Sequence, residues 1–152
     1  MISLMLLPGI YLALAGVALV YFDITQRRLP NVLTLPSIAL TLVADVVGLW
    51  IEPNRALSSL GLGVLVFLVC MGLNRLGALG MGDAKLWAGV ALVLGWFSFW
   101  FVLAVLIVPV LVALVFTLLS LTARRFGYFS YSVPLGVWVI PAYFVCLLIA
   151  VR

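Results

Sequence analysis

Histidine is absent from this 152-residue chain. A Ser-His-Asp triad, a Cys-His pair and any zinc site built on imidazole are therefore excluded. Charge is scarce as well: 8% of residues are charged, against 68% that are hydrophobic. A soluble domain usually carries about 25% charged residues, and a chain this poor in them cannot cover a folded surface in water. A soluble enzyme, a DNA-binding module and a disordered tail are excluded on that ground. The two cysteines, Cys70 and Cys146, lie inside apolar runs and form no C-x-x-C pair. A zinc knuckle is thus excluded, and each cysteine reads as a small hydrophobe. The N-terminus lacks a basic region before its first apolar run, and nothing like A-x-A follows it. That run is expected to be a permanent span rather than a cleavable signal.

What the chain does have is long apolar runs. Six helices are expected, from about Ile2 to Phe22, Val32 to Trp50, Ala56 to Leu73, Asp83 to Gly95, Phe97 to Leu121 and Pro134 to Val151. The fourth is short, Pro36 falls near the start of the second, and Pro109 predicts a kink in the fifth. In lipid every backbone amide needs an internal partner, which selects helices, and the runs are too continuous for an outer-membrane barrel. The expected fold is an all-α membrane protein of six transmembrane helices with short loops, one domain over residues 1–152.

The basic residues sort by side. Arg27, Arg28, Arg75, Lys85, Arg124 and Arg125 fall in connections on one side of such a bundle; Arg55 and Arg152 fall on the other. The positive-inside rule places the first group in the cytoplasm and both termini outside, in a multi-pass protein of the inner, cytoplasmic membrane. The net charge of +4 then reports orientation and contact with anionic lipid headgroups rather than a nucleic-acid partner. Arg27, Arg28, Arg124 and Arg125 read as lipid anchors, and the five tryptophans as interface anchors. The aromatic stretch from Phe126 to Ser132 reads as an interfacial loop. Gly61, Gly63 and Gly72 in the third run are expected to serve close helix packing.

Only four acids are present: Asp23, Asp45, Glu52 and Asp83. Placing a carboxylate in hydrocarbon is costly, so each acid at a span requires a reason. Glu52, beside Pro53, Asn54 and Arg55, reads as an ordinary solvated turn. Asp45 lies within the second helix, where it either reaches water or caps a neighbouring helix. Asp23 ends the first helix and Asp83 starts the fourth, so the charge count puts both at the cytoplasmic face. Two carboxylates brought together at a half-buried site share a proton and titrate as a pair. One then acts as general base on water while the other protonates or polarises a carbonyl. This chemistry needs neither histidine nor metal nor cofactor. Topology alone also admits two unrelated interfacial aspartates.

The local sequences favour the paired reading. Asp83 stands in Gly80-Met81-Gly82-Asp83-Ala84-Lys85-Leu86, where two glycines let the backbone bend and approach closely. They would also leave backbone groups free to pair an extended substrate strand. Asp23 stands in Asp23-Ile24-Thr25-Gln26-Arg27-Arg28-Leu29-Pro30-Asn31, and Pro30 disfavours helix at Leu29, so Asp23 is expected on a short, bent re-entry. Lys85 either snorkels to the interface or holds the loop near the dyad.

These two segments, D-x5-L-P-N and G-x-G-D-x-K-L, resemble those of the type IV prepilin peptidase family, a group of GxGD intramembrane aspartic proteases. Val133-Pro134-Leu135-Gly136 is similar to the family's Pro-x-Gly element near the active site. The three pieces come in the family's order and extend from Asp23 to Gly136. The resemblance implies Asp23 and Asp83 as catalytic dyad, with Gly80, Gly82, Pro134 and Gly136 as substrate-binding residues. It implies a prepilin or pseudopilin substrate whose short basic leader is cut off just after a glycine at the cytoplasmic face. The family's larger members carry an added N-terminal cytoplasmic region, often with a cysteine cluster, and methylate the new N-terminus. This chain has neither and looks like the short peptidase-only form, so N-methylation is not expected. Two rival readings place the same acids in a proton- or cation-coupled transporter subunit, or make the chain a non-catalytic pilus assembly factor.

Overall fold

The structure is a computed structural model that describes residues 3–26, 29–76, 79–124 and 136–152. Arg27, Arg28, Arg125, Pro134 and the stretch from Phe126 to Ser132 lie outside the described residues. Among the described residues the chain is helical, with no strand: α1 (Ser3–Gln26), α2 (Asn31–Ile51), α3 (Pro53–Arg75), α4 (Met81–Gly95), α5 (Phe99–Arg124) and α6 (Gly136–Val151). The helix ends follow local chemistry. Pro30 precedes α2 in extended conformation, and Pro53 opens α3 at a position where its missing N–H goes unused. Inside α5, Pro109 is accommodated without ending the helix.

Among the described residues, three helices are long and apolar enough to cross a membrane: Met5–Gln26 within α1, then α2 and α3. Phe99–Val112 and Val137–Val151 are shorter apolar stretches. The outward faces are apolar too, with Leu14, Val17, Val43, Leu68 and Leu148 each more than half exposed. Exposed apolar surface on this scale marks contact with lipid rather than water.

The centre is α4. Every residue from Leu86 to Trp96 is buried, because α4 packs against each of the other five helices. Its 15 residues span roughly 22 Å, short of the ~30 Å hydrocarbon core. Close approach to α4 depends on two glycines. A Cβ at Gly63 would collide with the Leu92 side chain, and one at Gly48 with the Trp96 ring. Gly61 and Gly72 have open space where a Cβ would stand, which corrects the expectation that they serve packing. The tryptophans also divide: Trp50 and Trp100 are strongly exposed, whereas Trp87 and Trp96 are buried against the bundle. The apolar run alone does not separate these two environments.

α6 runs antiparallel to α1. Gly9 lies against Tyr143 and Leu147, and Gly16 against Ile140; the Tyr143 hydroxyl donates to the Gly9 carbonyl at 3.0 Å. That register brings the start of α6, Gly136, level with the last turns of α1.

Candidate active site

Asp23 lies in the last turns of α1, which continues past it to Gln26, and is 6% exposed. The short bent re-entry expected at this point is therefore not where the aspartate sits: the helix carries it, and the bend comes after. Asp83 is the third residue of α4. The two carboxyl groups lie within electrostatic reach of each other. Cys70 of α3 also lies within reach of Asp83, a neighbour that its place in an apolar run does not reveal.

The glycine motif is a helix start. Gly80, in extended conformation (φ −72°, ψ 147°), is the residue before the first turn of α4. Its carbonyl accepts from the Ala84 N–H at 3.1 Å, and its own backbone N–H donates to the Asp83 carboxylate. This is the acid's half of a capping box: the side chain three residues into the helix folds back on the capping residue's amide. The bond orients the Asp83 carboxyl group. A Cβ at Gly80 would stand 3.0 Å from Asp83 Oδ2. The next amides of the first turn, those of Met81 and Gly82, belong to the set that a helix leaves without an internal acceptor.

The two sequence segments form one contact. A Cβ at Gly82 would stand 3.1 Å from the Cβ of Leu29, so the glycine lets the α1–α2 connection lie directly on the start of α4. Lys85 Nζ donates to Asn31 Oδ1 at 2.9 Å, a bond from α4 to the first residue of α2. On the other side, Asn74 Nδ2 donates to the Leu79 carbonyl at 2.7 Å and holds the approach from α3. Asn31 and Leu29 thus join the site as supporting residues. Their signal in the sequence is their fixed offset from Asp23, but spacing does not disclose that their partners are Lys85 and Gly82.

Gly136 opens α6 at the same end of the bundle, and Pro134 lies outside the described residues. Asp45 is elsewhere. It is 0% exposed and bonded to Ser59 across the α2–α3 interface, not to water. Glu52 pairs with Arg55 at 2.8 Å on the surface, as a solvated turn would. Among the described residues, no group of three or more histidine, cysteine or acidic side chains gathers to hold a metal ion.

A buried carboxyl group beside a second one, with backbone donors at a helix N-terminus next to them, is an arrangement suited to activating water and steadying a developing oxyanion. The model of the type IV leader peptidase family matches residues 10–118, a range that includes Asp23, the whole glycine motif and their contact. No curated protein and no solved structure matches the chain.

Proposed function

We infer, from the premise that the chain belongs to the type IV leader peptidase family, that it is an intramembrane aspartic endopeptidase with Asp23 and Asp83 as its dyad. One observation carries this reading: the family's two aspartates come from different helices yet lie at one end of the bundle, within reach of each other's charge. One carboxylate draws the proton from a water, and the other, protonated, polarises the scissile carbonyl; the shared proton then passes to the leaving amine. The Met81 and Gly82 amides are suited to receive the carbonyl oxygen or the extended strand beside it. Neither metal nor cofactor enters the sequence of steps.

The substrate is a prepilin or pseudopilin whose short basic leader emerges at the cytoplasmic face while its apolar helix stays in the bilayer of the inner membrane. A glycine at the cleavage point eases the local unwinding that exposes a helical peptide bond. The test is co-expression of a prepilin-like substrate with the wild type and the two asparagine variants, reading leader loss on a gel. If the folded wild type removes no leader, the peptidase reading is rejected.

All six helices cross the membrane in this reading, with the dyad end in the cytoplasm and both termini outside. A topology reporter fused after Arg152 is expected to be active only outside; activity in the cytoplasm would overturn the orientation.

A further inference from the structure

The end of the bundle away from the dyad holds another buried acid. Asp45 is 0% exposed. Ser59 Oγ stands 2.9 Å from Asp45 Oδ2 and 2.6 Å from the carbonyl oxygen of Leu92. A hydroxyl group has one proton to donate. The Leu92 carbonyl is acceptor only, so the shorter contact takes the Ser59 proton. The contact between Ser59 and Asp45 then needs a second proton, which only the carboxyl group can supply.

The surroundings agree with that count. Leu92 lies in the last turn of α4, where carbonyls lack a helical donor and the helix dipole presents its negative end. A carboxylate at this place would share Ser59 with a carbonyl oxygen. Among the described residues no cation pairs with Asp45, and Arg55, the basic residue of that side within them nearest in sequence, is engaged with Glu52. Asp45 Oδ1 is buried with no hydrogen-bond partner. That is tolerable for the carbonyl of a neutral acid and expensive for a charged oxygen.

The bond also adds a directional constraint to what apolar packing supplies. From Leu86 to Leu94, α4 offers five leucine and valine side chains, two alanines, one tryptophan and one glycine, all buried. The contacts of Leu92 with Gly63 and of Trp96 with Gly48 already oppose a slide of this helix along its axis, and α4 is too short to be positioned by both membrane faces. A hydrogen bond of fixed length is far more sensitive to a slip. Buried polar groups that fix register are the best-attested use of such contacts. Leu92 is nine residues beyond Asp83, roughly 13 Å along the same rigid helix. A pin at one end therefore sets the depth of the other.

We propose that Asp45 is held as a neutral carboxylic acid whose bond through Ser59 to the Leu92 carbonyl fixes the axial register of α4, making Asp45 a positioning residue for Asp83. The positioning half rests on the peptidase reading; the location of the proton does not.

Infrared difference spectroscopy of the purified full chain at neutral pH, wild type against Asp45→Asn, tests the proton. The expected result is loss of a protonated-carboxyl carbonyl stretch; loss of carboxylate bands in its place overturns the proposal. Leader cleavage tests the register. Asparagine at this position still donates to Ser59, so Asp45→Asn keeps the wild-type kcat. Asp45→Leu loses at least about tenfold in kcat with KM unchanged, within what a sub-ångström misplacement of a catalytic group produces. Folded Asp45→Leu with normal kcat overturns the positioning role. Should that variant fail to fold, Ser59→Ala serves instead: the acid's carbonyl stretch shifts as it loses its acceptor and kcat falls, whereas an unmoved band overturns the chain of bonds. A wild type that cleaves nothing rejects the peptidase reading while the infrared band still decides the proton.

Discussion

Asp23→Asn and Asp83→Asn are each expected to reduce leader removal by about 10²–10⁴-fold, the range over which a positioned general acid or base contributes. Asparagine keeps the size and hydrogen-bonding outline of aspartate but neither accepts nor releases a proton at neutral pH. The proposed mechanism needs both: one carboxyl group to take a proton from water, the other to hold one against the carbonyl. Because the pair acts as a unit, the double variant is expected to be little worse than either single one. The Asp83 variant needs one control, since its carboxylate also accepts from the Gly80 amide at the start of α4. The asparagine carbonyl can accept that same bond, so the variant is expected to fold, and circular dichroism with detergent size-exclusion checks it. A folded single variant that cleaves at the normal rate would remove the dyad and with it the proposed chemistry.

The second large effect is expected at Gly80. A methyl group there would arrive 3.0 Å from Asp83 Oδ2, tighter than ordinary carbon–oxygen contact. Backbone strain is not the cause, since Gly80 has a φ of −72° that any residue adopts. The methyl group instead pushes on the carboxyl oxygen that the proposed reaction uses. Gly80→Ala is therefore expected to lower kcat by about tenfold, since the carboxyl group must give by a few tenths of an ångström, with thermal stability nearly unchanged. Gly82→Ala presses on a different neighbour: it meets the Leu29 Cβ at 3.1 Å, an atom that moves only with its backbone, so the α1–α2 connection must shift by a few tenths of an ångström. Equal kcat for the two alanine variants and the wild type would show that the glycines have no part in presenting the acid.

The order of helices was legible from apolar runs, and the two aspartates from their flanking motifs, because both signals are local. The boundaries moved where capping decides them. α1 runs past Asp23 to Gln26, since nothing before Pro30 opposes helix there. α4 starts at Met81, since Asp83 can cap the turn behind it. What stayed hidden was pairwise. Nothing in a hydrophobic pattern distinguishes Gly63, which lies under Leu92, from Gly61, which faces open space two residues earlier. The same holds for Trp96, sealed against Gly48 and Ala56, and Trp100, four residues on and exposed. The Lys85–Asn31 bond explains why a lysine and an asparagine in distant segments belong to one site, and neither segment names its partner. Asp45 was visible as an anomaly, but its proton count became readable only with Ser59 and Leu92 placed beside it.

The enclosure of α4 by five neighbours inverts a usual ranking. A 15-residue helix is ordinarily among the first to fray, since few internal bonds hold it. Here deuterium from the buffer has no path to the amides between Leu86 and Leu94 short of opening the bundle. Hydrogen–deuterium exchange should find that shortest segment to be the slowest, while the amides of Met81 and Gly82, at most five residues before it, exchange early. A single helix would then carry both the most guarded and among the most accessible protons in the molecule, with the division falling beside Asp83.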